Sequence, residues 1–219
     1  VKTIEYRTDD KSGWQPGPWM NEPDKKQWQD PETGLPCLIV RGPVGAWCGY
    51  VGVGKDHPWF GKDYTNLSLE WDDPERQKTP EAVIRVHGGL TFADECHAPS
   101  PEGFERMKKR VQEAREDAKK HPIGDSARWL KTWEPLLGDY KSYAEHVEAT
   151  AICYKTDDGD KVWWFGFDTS HLDDYAPAMD SDDYRLIMRG LSRERGTYRD
   201  QAYVEAEVTS LAKQLAAVK

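Results

Sequence analysis

The sequence predicts an α+β fold, with about five mostly antiparallel strands, helices packed on one face and a long C-terminal helix. Three observations carry this expectation. Short apolar or aromatic runs recur at Pro36-Cys37-Leu38-Ile39-Val40-Arg41, Ala46-Trp47-Cys48-Gly49-Tyr50-Val51-Gly52-Val53 and Val162-Trp163-Trp164-Phe165-Gly166-Phe167-Asp168. The first two are separated by Gly42-Pro43-Val44-Gly45, which reads as the turn of an antiparallel hairpin. Two longer segments, 100–120 and 198–217, carry apolar residues at helical spacing.

At 219 residues the chain is long enough to bury a sizeable core, and it reads as a single domain over 1–219. Residues 1–35 read as an irregular Trp/Pro-rich arm and 36–219 as the α+β body. Hydrophobic content is 37% and charged content 32%, but ten tryptophans offset that balance because each ring buries a large apolar area. The formal charge of −9 argues against general nucleic-acid binding, which needs a basic stripe. It leaves room for a mononucleotide held by a few local donors. No apolar run has spanning length and the N-terminus is not signal-like, so the expectation is a soluble chain without a membrane anchor. The four cysteines lack CxxC spacing, and three lie in or beside apolar runs. They read as reduced thiols in a cytosolic protein rather than a disulfide framework or a zinc knuckle.

In the arm, Gly13-Trp14-Gln15-Pro16-Gly17-Pro18-Trp19 is too interrupted for a helix, and a helical turn is expected near 22–29. After the hairpin, Lys55-Asp56-His57-Pro58-Trp59-Phe60 is a loop, and 62–80 is a polar surface excursion. The run 82–92 reads as a strand broken at Gly88-Gly89. Ser100 and Pro101 start the helix over 100–120, with Phe104, Met107 and Val111 on its stripe. A shorter helix is expected over 126–137 and a strand over 147–154. A turn at 157–160 then leads into the Trp163-Trp164 strand. A helical turn is expected at 182–190. The last helix follows, with Val204, Val208, Leu211 and Leu215 facing the core.

The chemistry concentrates where apolar runs end in polar groups. His87 sits at a strand break beside Gly88 and Gly89, which let a ligand approach the backbone. Asp168-Thr169-Ser170-His171-Leu172-Asp173-Asp174 supplies carboxylates and an imidazole. His87, Asp168 and His171 together are the candidate catalytic set. They are also a candidate set of ligands for a divalent metal, since two imidazoles and a carboxylate leave positions open for water. Without a metal, Asp168 would orient an imidazole acting as a general base. Asp173 and Asp174 read as turn or capping residues. His57, Trp59, Gly88, Gly89, Thr91, Trp164 and Arg199 are the candidate ligand-binding residues, the rings walling a pocket and Arg199 reaching an anion at the helix N-terminus.

Several short blocks recur in a recognisable order: Cys48-Gly49-Tyr50-Val51-Gly52-Val53, His57-Pro58, Val86-His87-Gly88-Gly89-Leu90-Thr91, Trp163-Trp164-Phe165-Gly166-Phe167-Asp168 with His171, and Tyr198-Arg199-Asp200. From about residue 35 onward the chain resembles a group of largely uncharacterised bacteriophage and prophage proteins. The resemblance implies a viral accessory protein in the host bacterial cytosol, of the kind that sequesters or modifies nucleotide-type signals in host defence. The first functional expectation is therefore binding of a small polar, nucleotide-type ligand in an aromatic-walled pocket. A metal-dependent phosphoester hydrolase using His87, Asp168 and His171 is the second. The third is an inhibitor that contacts a basic host protein through its acidic exterior. The C-terminal helix is compatible with pairing across a two-fold axis in a homo-oligomer.

Overall fold

The structure is a computed structural model. It describes the chain apart from residues 1–2, 67–68, 71, 97, 122–124, 155–161 and 181–195, and the side chains of Asp125, Arg128 and Asp180. The strands are β1 (Ile4–Tyr6), β2 (Lys25–Gln29), β3 (Pro36–Arg41), β4 (Trp47–Val53), β5 (Phe92–Glu95) and β6 (Trp163–Asp168). They form one antiparallel sheet in the order β1-β2-β3-β4-β6-β5. The helices are α1 (Pro80–Val83), α2 (Pro101–Lys120), α3 (Asp125–Trp133), α4 (Tyr140–Thr150) and α5 (Gln201–Ala216). An α+β fold is what the sequence predicts, and the hairpin is β3–β4, paired with Val40 opposite Cys48 and Leu38 opposite Tyr50.

The chain divides into two compact units, one of Val1–Cys96 with Ile152–Lys219 and one of His97–Ala151. In the first, both faces of the sheet are buried. Cys37, Ile39, Trp47, Val51, Phe165 and Phe167 pack against Val204, Val208, Leu211 and Leu215 of α5. Leu38, Val40, Tyr50 and Trp164 form the other face with Tyr154. This two-sided burial is why the central strands read as near-continuous apolar runs. Gly49 brings α5 close, because a Cβ there would fall 2.6 Å from both Phe167 and Val208. The predicted apolar stripe of α5 is wholly buried within the chain, so it is not a free face for pairing between copies.

The helical unit starts as predicted, with the Ser100 hydroxyl accepting from the Gly103 N–H at 3.0 Å. Phe104 of α2 packs with Tyr143 and Val147 of α4. An open groove of about 590 Å³ lies beside Phe104, Arg106, Lys109 and Tyr140, and it contains none of the residues predicted for the site.

Five expectations change. The arm is not wholly irregular, since it supplies β1 and β2, and β2 replaces the helical turn expected near 22–29. Its buried positions are Lys25 and Gln27, so it carries no apolar signal; Lys25 Nζ donates to the Cys153 carbonyl at 2.9 Å. The strand expected over 82–92 pairs only from Phe92 onward. Before that the backbone is held by α5 side chains: Gln214 bonds both the N–H and the C=O of Arg85 at 2.8 Å. Residues 147–150 continue α4 rather than starting a strand, because Asp139 caps that helix and Tyr143 and Val147 share its buried side. Finally, Cys96 and Cys153 form a disulfide, while Cys37 and Cys48 stay free. The turn expected at 157–160 and the helical turn at 182–190 lie outside the described residues.

No helix among the described residues is long and apolar enough to cross a membrane.

Candidate functional site

Three separate segments meet beside the first two turns of α5. The first carries His87. Its N–H donates to Glu207 Oε2 at 2.8 Å, fixing the backbone before the turn Val86-His87-Gly88-Gly89 closes through a Gly89 N–H to Val86 C=O bond of 3.0 Å. Gly88 sits at φ 67°, the left-handed conformation that this type of turn needs.

The second segment follows β6. His171 and Asp174 close a turn, the Asp174 N–H donating to the His171 carbonyl at 3.0 Å. The side chain of His171 lies directly over Gly88, where any Cβ would come within 1.8 Å of Nε2. Its ring centre is 5.4 Å from that of His87. Among the described residues, His171 Nε2 is buried without a hydrogen-bond partner, so the ring packs on the turn and does not reach outward.

The third segment is the start of α5. A bridge between Asp174 and Thr197 carries the chain past Asp174 and brings Arg199 next to it. Asp200 caps the helix by accepting from the Tyr203 N–H at 2.8 Å, which sets Tyr203 on the first turn.

The side chains then form a connected chain. Asp174 is almost fully enclosed, with a side chain 1% exposed. Its Oδ2 accepts from His87 Nε2 at 2.7 Å and from the His171 N–H at 3.2 Å, and its Oδ1 accepts from Arg199 Nε at 2.9 Å. His87 Nδ1 lies 3.0 Å from the Tyr203 hydroxyl, with the two rings at 89°. The Arg199 guanidinium sits 5.0 Å from the centre of the Tyr203 ring. Burial alone would raise the Asp174 pKa, but the bonds from Arg199 and His87 outweigh it and hold the carboxyl below its ordinary range. Burial, with Glu207 nearby, pushes the Tyr203 hydroxyl up, so it rests as the phenol.

These facts assign the protons. An ionised Asp174 can only accept, so His87 carries hydrogen on Nε2, and in the neutral imidazole that leaves Nδ1 to accept from the Tyr203 O–H. The carboxylate that orients His87 is thus Asp174, which the sequence suggests only as a turn residue, and not Asp168. Asp168 Oδ1 accepts from the Ser170 N–H and hydroxyl at 3.0 and 2.6 Å. Burial raises its pKa, yet the bonds from Ser170 and Thr91 and the nearby His171 lower it below the ordinary value.

The predicted ligand-binding residues separate. His57 Nδ1 accepts from the Trp59 N–H at 3.1 Å, leaving Nε2 to donate to the Leu215 carbonyl near the end of α5 at 3.0 Å. It ties a loop to a helix end. Trp59 is buried with Phe165 on the α5 side of the sheet, and Trp164 is buried on the opposite side, so the two do not wall one pocket. A ring enclosed by core side chains has no face left for a ligand. Gly88 and Gly89 form the turn, and the Thr91 N–H bonds Gly166. Arg199 alone of that group enters the central cluster. No three His, Cys, Asp or Glu side chains among the described residues are placed to hold a metal ion, so His87, Asp168 and His171 do not make the metal centre expected of them.

A second polar cluster gathers at the same helix start. Glu22 Oε2 accepts from Arg41 Nη2 at 2.5 Å, from Trp47 Nε1 at 3.1 Å and from the Tyr198 hydroxyl, while Oε1 accepts from the Gln201 N–H at 3.1 Å. Arg41 is fully enclosed, its guanidinium 4.1 Å from the Trp47 ring centre. Burial would raise the Glu22 pKa, but the hydrogen bonds together hold it below its ordinary value.

No family model, curated protein or solved structure matches the chain.

Proposed function

We propose that the chain binds a small polar ligand of the nucleotide type at the cluster of His87, Asp174, Arg199 and Tyr203. The observation that supports this is the Asp174–His87–Tyr203 hydrogen-bonded chain, assembled from residues far apart in sequence, which runs from an enclosed carboxylate to a half-exposed tyrosine whose ring lies beside the Arg199 guanidinium. A nucleotide offers a phosphate to Arg199 and a base face to the Tyr203 ring. Asp173, Asp174 and Glu207 lie close by, so a singly charged ligand meets less repulsion than a polyphosphate. The setting we attach to this is the cytosol of a phage-infected bacterium, where such a ligand would be a host signal. That setting rests on the resemblance alone, since the disulfide removes the argument from reduced thiols.

The test is a thermal-shift panel of cyclic mononucleotides, nucleoside monophosphates and nucleoside triphosphates. The expected result is a rise of about 5 °C with singly charged members at saturating concentration. Arg199→Ala should abolish it. A flat response across the panel, or an equal rise in Arg199→Ala, contradicts the reading.

A further inference from the structure

The hydrogen-bonded chain has a direction, and it suits more than binding. We propose that Tyr203 is a nucleophile for phosphodiester cleavage, with His87 taking its proton and Asp174 holding the imidazolium that results. This rests on the reading that a nucleotide-type ligand sits beside Arg199.

Asp174 fixes hydrogen on His87 Nε2, so in the neutral imidazole the Nδ1 lone pair faces the Tyr203 hydroxyl at 3.0 Å. That is the arrangement of a general base just before it removes a proton from a hydroxyl. Glu207 is engaged by the backbone of the same turn, its Oε2 accepting from the His87 N–H at 2.8 Å. The Arg199 guanidinium over the tyrosine ring favours the phenolate and lies where it would meet a phosphate oxygen. Tyr203 is half-exposed on the first turn of α5, within reach of a ligand from outside. The class of substrate follows from charge. Arg199 is already paired with Asp174, and Asp173 and Glu207 are acidic neighbours, so a monoanionic diester is tolerated better than a dianionic monoester.

In the first step Tyr203 Oη attacks phosphorus and its proton passes to His87 Nδ1. The bond from phosphorus to the leaving oxygen breaks, and that oxygen takes the proton from His87 and departs as an alcohol. A tyrosyl phosphodiester remains. Water then attacks phosphorus and gives a proton to His87, the bond to Tyr203 Oη breaks, and Tyr203 recovers that proton. The sum is diester plus water to monoester plus alcohol, with no change of oxidation state.

The experiment incubates the full chain with bis(p-nitrophenyl) phosphate, following nitrophenolate release, intact mass and the labelled peptide. The expected result is one nitrophenyl-phosphoryl group on Tyr203. Tyr203→Phe should fall to the protein-free rate, and His87→Gln should lose about a hundred-fold or more. Tyr203→Phe keeps the aromatic ring and Arg199 and should retain a thermal shift with a cyclic mononucleotide, while far-UV circular dichroism and cooperative unfolding show that both variants fold. Release by Tyr203→Phe at the wild-type rate overturns the proposal, as does a label on another residue. So does turnover of p-nitrophenyl acetate without turnover of the diester. A wild type that binds the cyclic mononucleotide yet neither labels nor releases product overturns the nucleophile while leaving the binding reading standing. A wild type that does neither removes both.

Discussion

At the start of α5 the protein carries two polar clusters, and consecutive residues are divided between them. Tyr198 and Gln201 turn toward Glu22, while Arg199 and Tyr203 turn toward Asp174. Both clusters centre on a carboxylate whose pKa is held low by donors. They differ in how they end. Glu22 receives four donors, and its chief partner Arg41 is fully enclosed beneath Trp47. Two of its donors, Arg41 and Trp47, are fully enclosed side chains. The Asp174 chain passes through His87 to Tyr203, a residue that is itself half-exposed. A closed network of this kind fixes the fold, whereas one that ends at the surface in a polarised hydroxyl can do chemistry.

The comparison predicts effects of very different size. Glu22→Ala leaves the Arg41 guanidinium buried without its main partner, so it should cost about 3–5 kcal/mol in chemical denaturation. It should not remove the chemistry at Tyr203 in whatever fraction remains folded. A cost under about 1 kcal/mol would mean the Glu22 network is not the fastening described here.

Gly88→Ala should come next, at about 1–3 kcal/mol, because it adds left-handed strain and pushes on the His171 ring. The same variant should disturb His87 and weaken ligand binding, which Glu22→Ala should not. Denaturation and thermal-shift binding of the two variants side by side would show this crossing of effects.

Acid sharpens the contrast further. Glu22 has a lower pKa folded than unfolded, so its contribution is present above its ordinary value of about 4.3 and is lost as pH falls through the folded value. Stability measured from pH 6 downward should therefore decline less steeply for Glu22→Gln than for the wild type. Parallel acid limbs would contradict the assignment.

Tyr203→Phe should be the mildest, costing under about 1 kcal/mol because only a partly exposed hydroxyl bond is lost. A much larger cost would move Tyr203 into the same structural class as Tyr198.

What could be read from the sequence follows from where the signals are local. The strands β3, β4 and β6 announce themselves as near-continuous apolar runs, and the helix α5 because its apolar residues recur at helical spacing. β2 does not, since its buried residues are the polar Lys25 and Gln27, and the Cys153 carbonyl that takes Lys25 lies 128 residues away. The approach of His87 to His171 is visible in outline, as two histidines at the ends of candidate strands. Asp174 is not, because an aspartate in a turn is commonplace and its two side-chain partners lie 87 and 25 residues away. Tyr203 and Glu207 carry one signal, their four-residue spacing on one side of α5, which gains meaning only once His87 is placed there. Trp59 and Trp164 mislead for the opposite reason: their size suggests pocket walls, but the sheet needs that same area for its two cores. The pairing of Cys96 with Cys153 spans 57 residues and has no spacing motif to reveal it.

The most direct measurement is of the imidazoles themselves. Ring-nitrogen NMR of the histidines, with His87 assigned through His87→Gln, would be recorded while a cyclic mononucleotide is added. The account predicts that the His87 resonances move in proportion to binding while those of His57, tied to the Leu215 carbonyl, stay in place. Saturable binding that leaves the His87 resonances unmoved would contradict it.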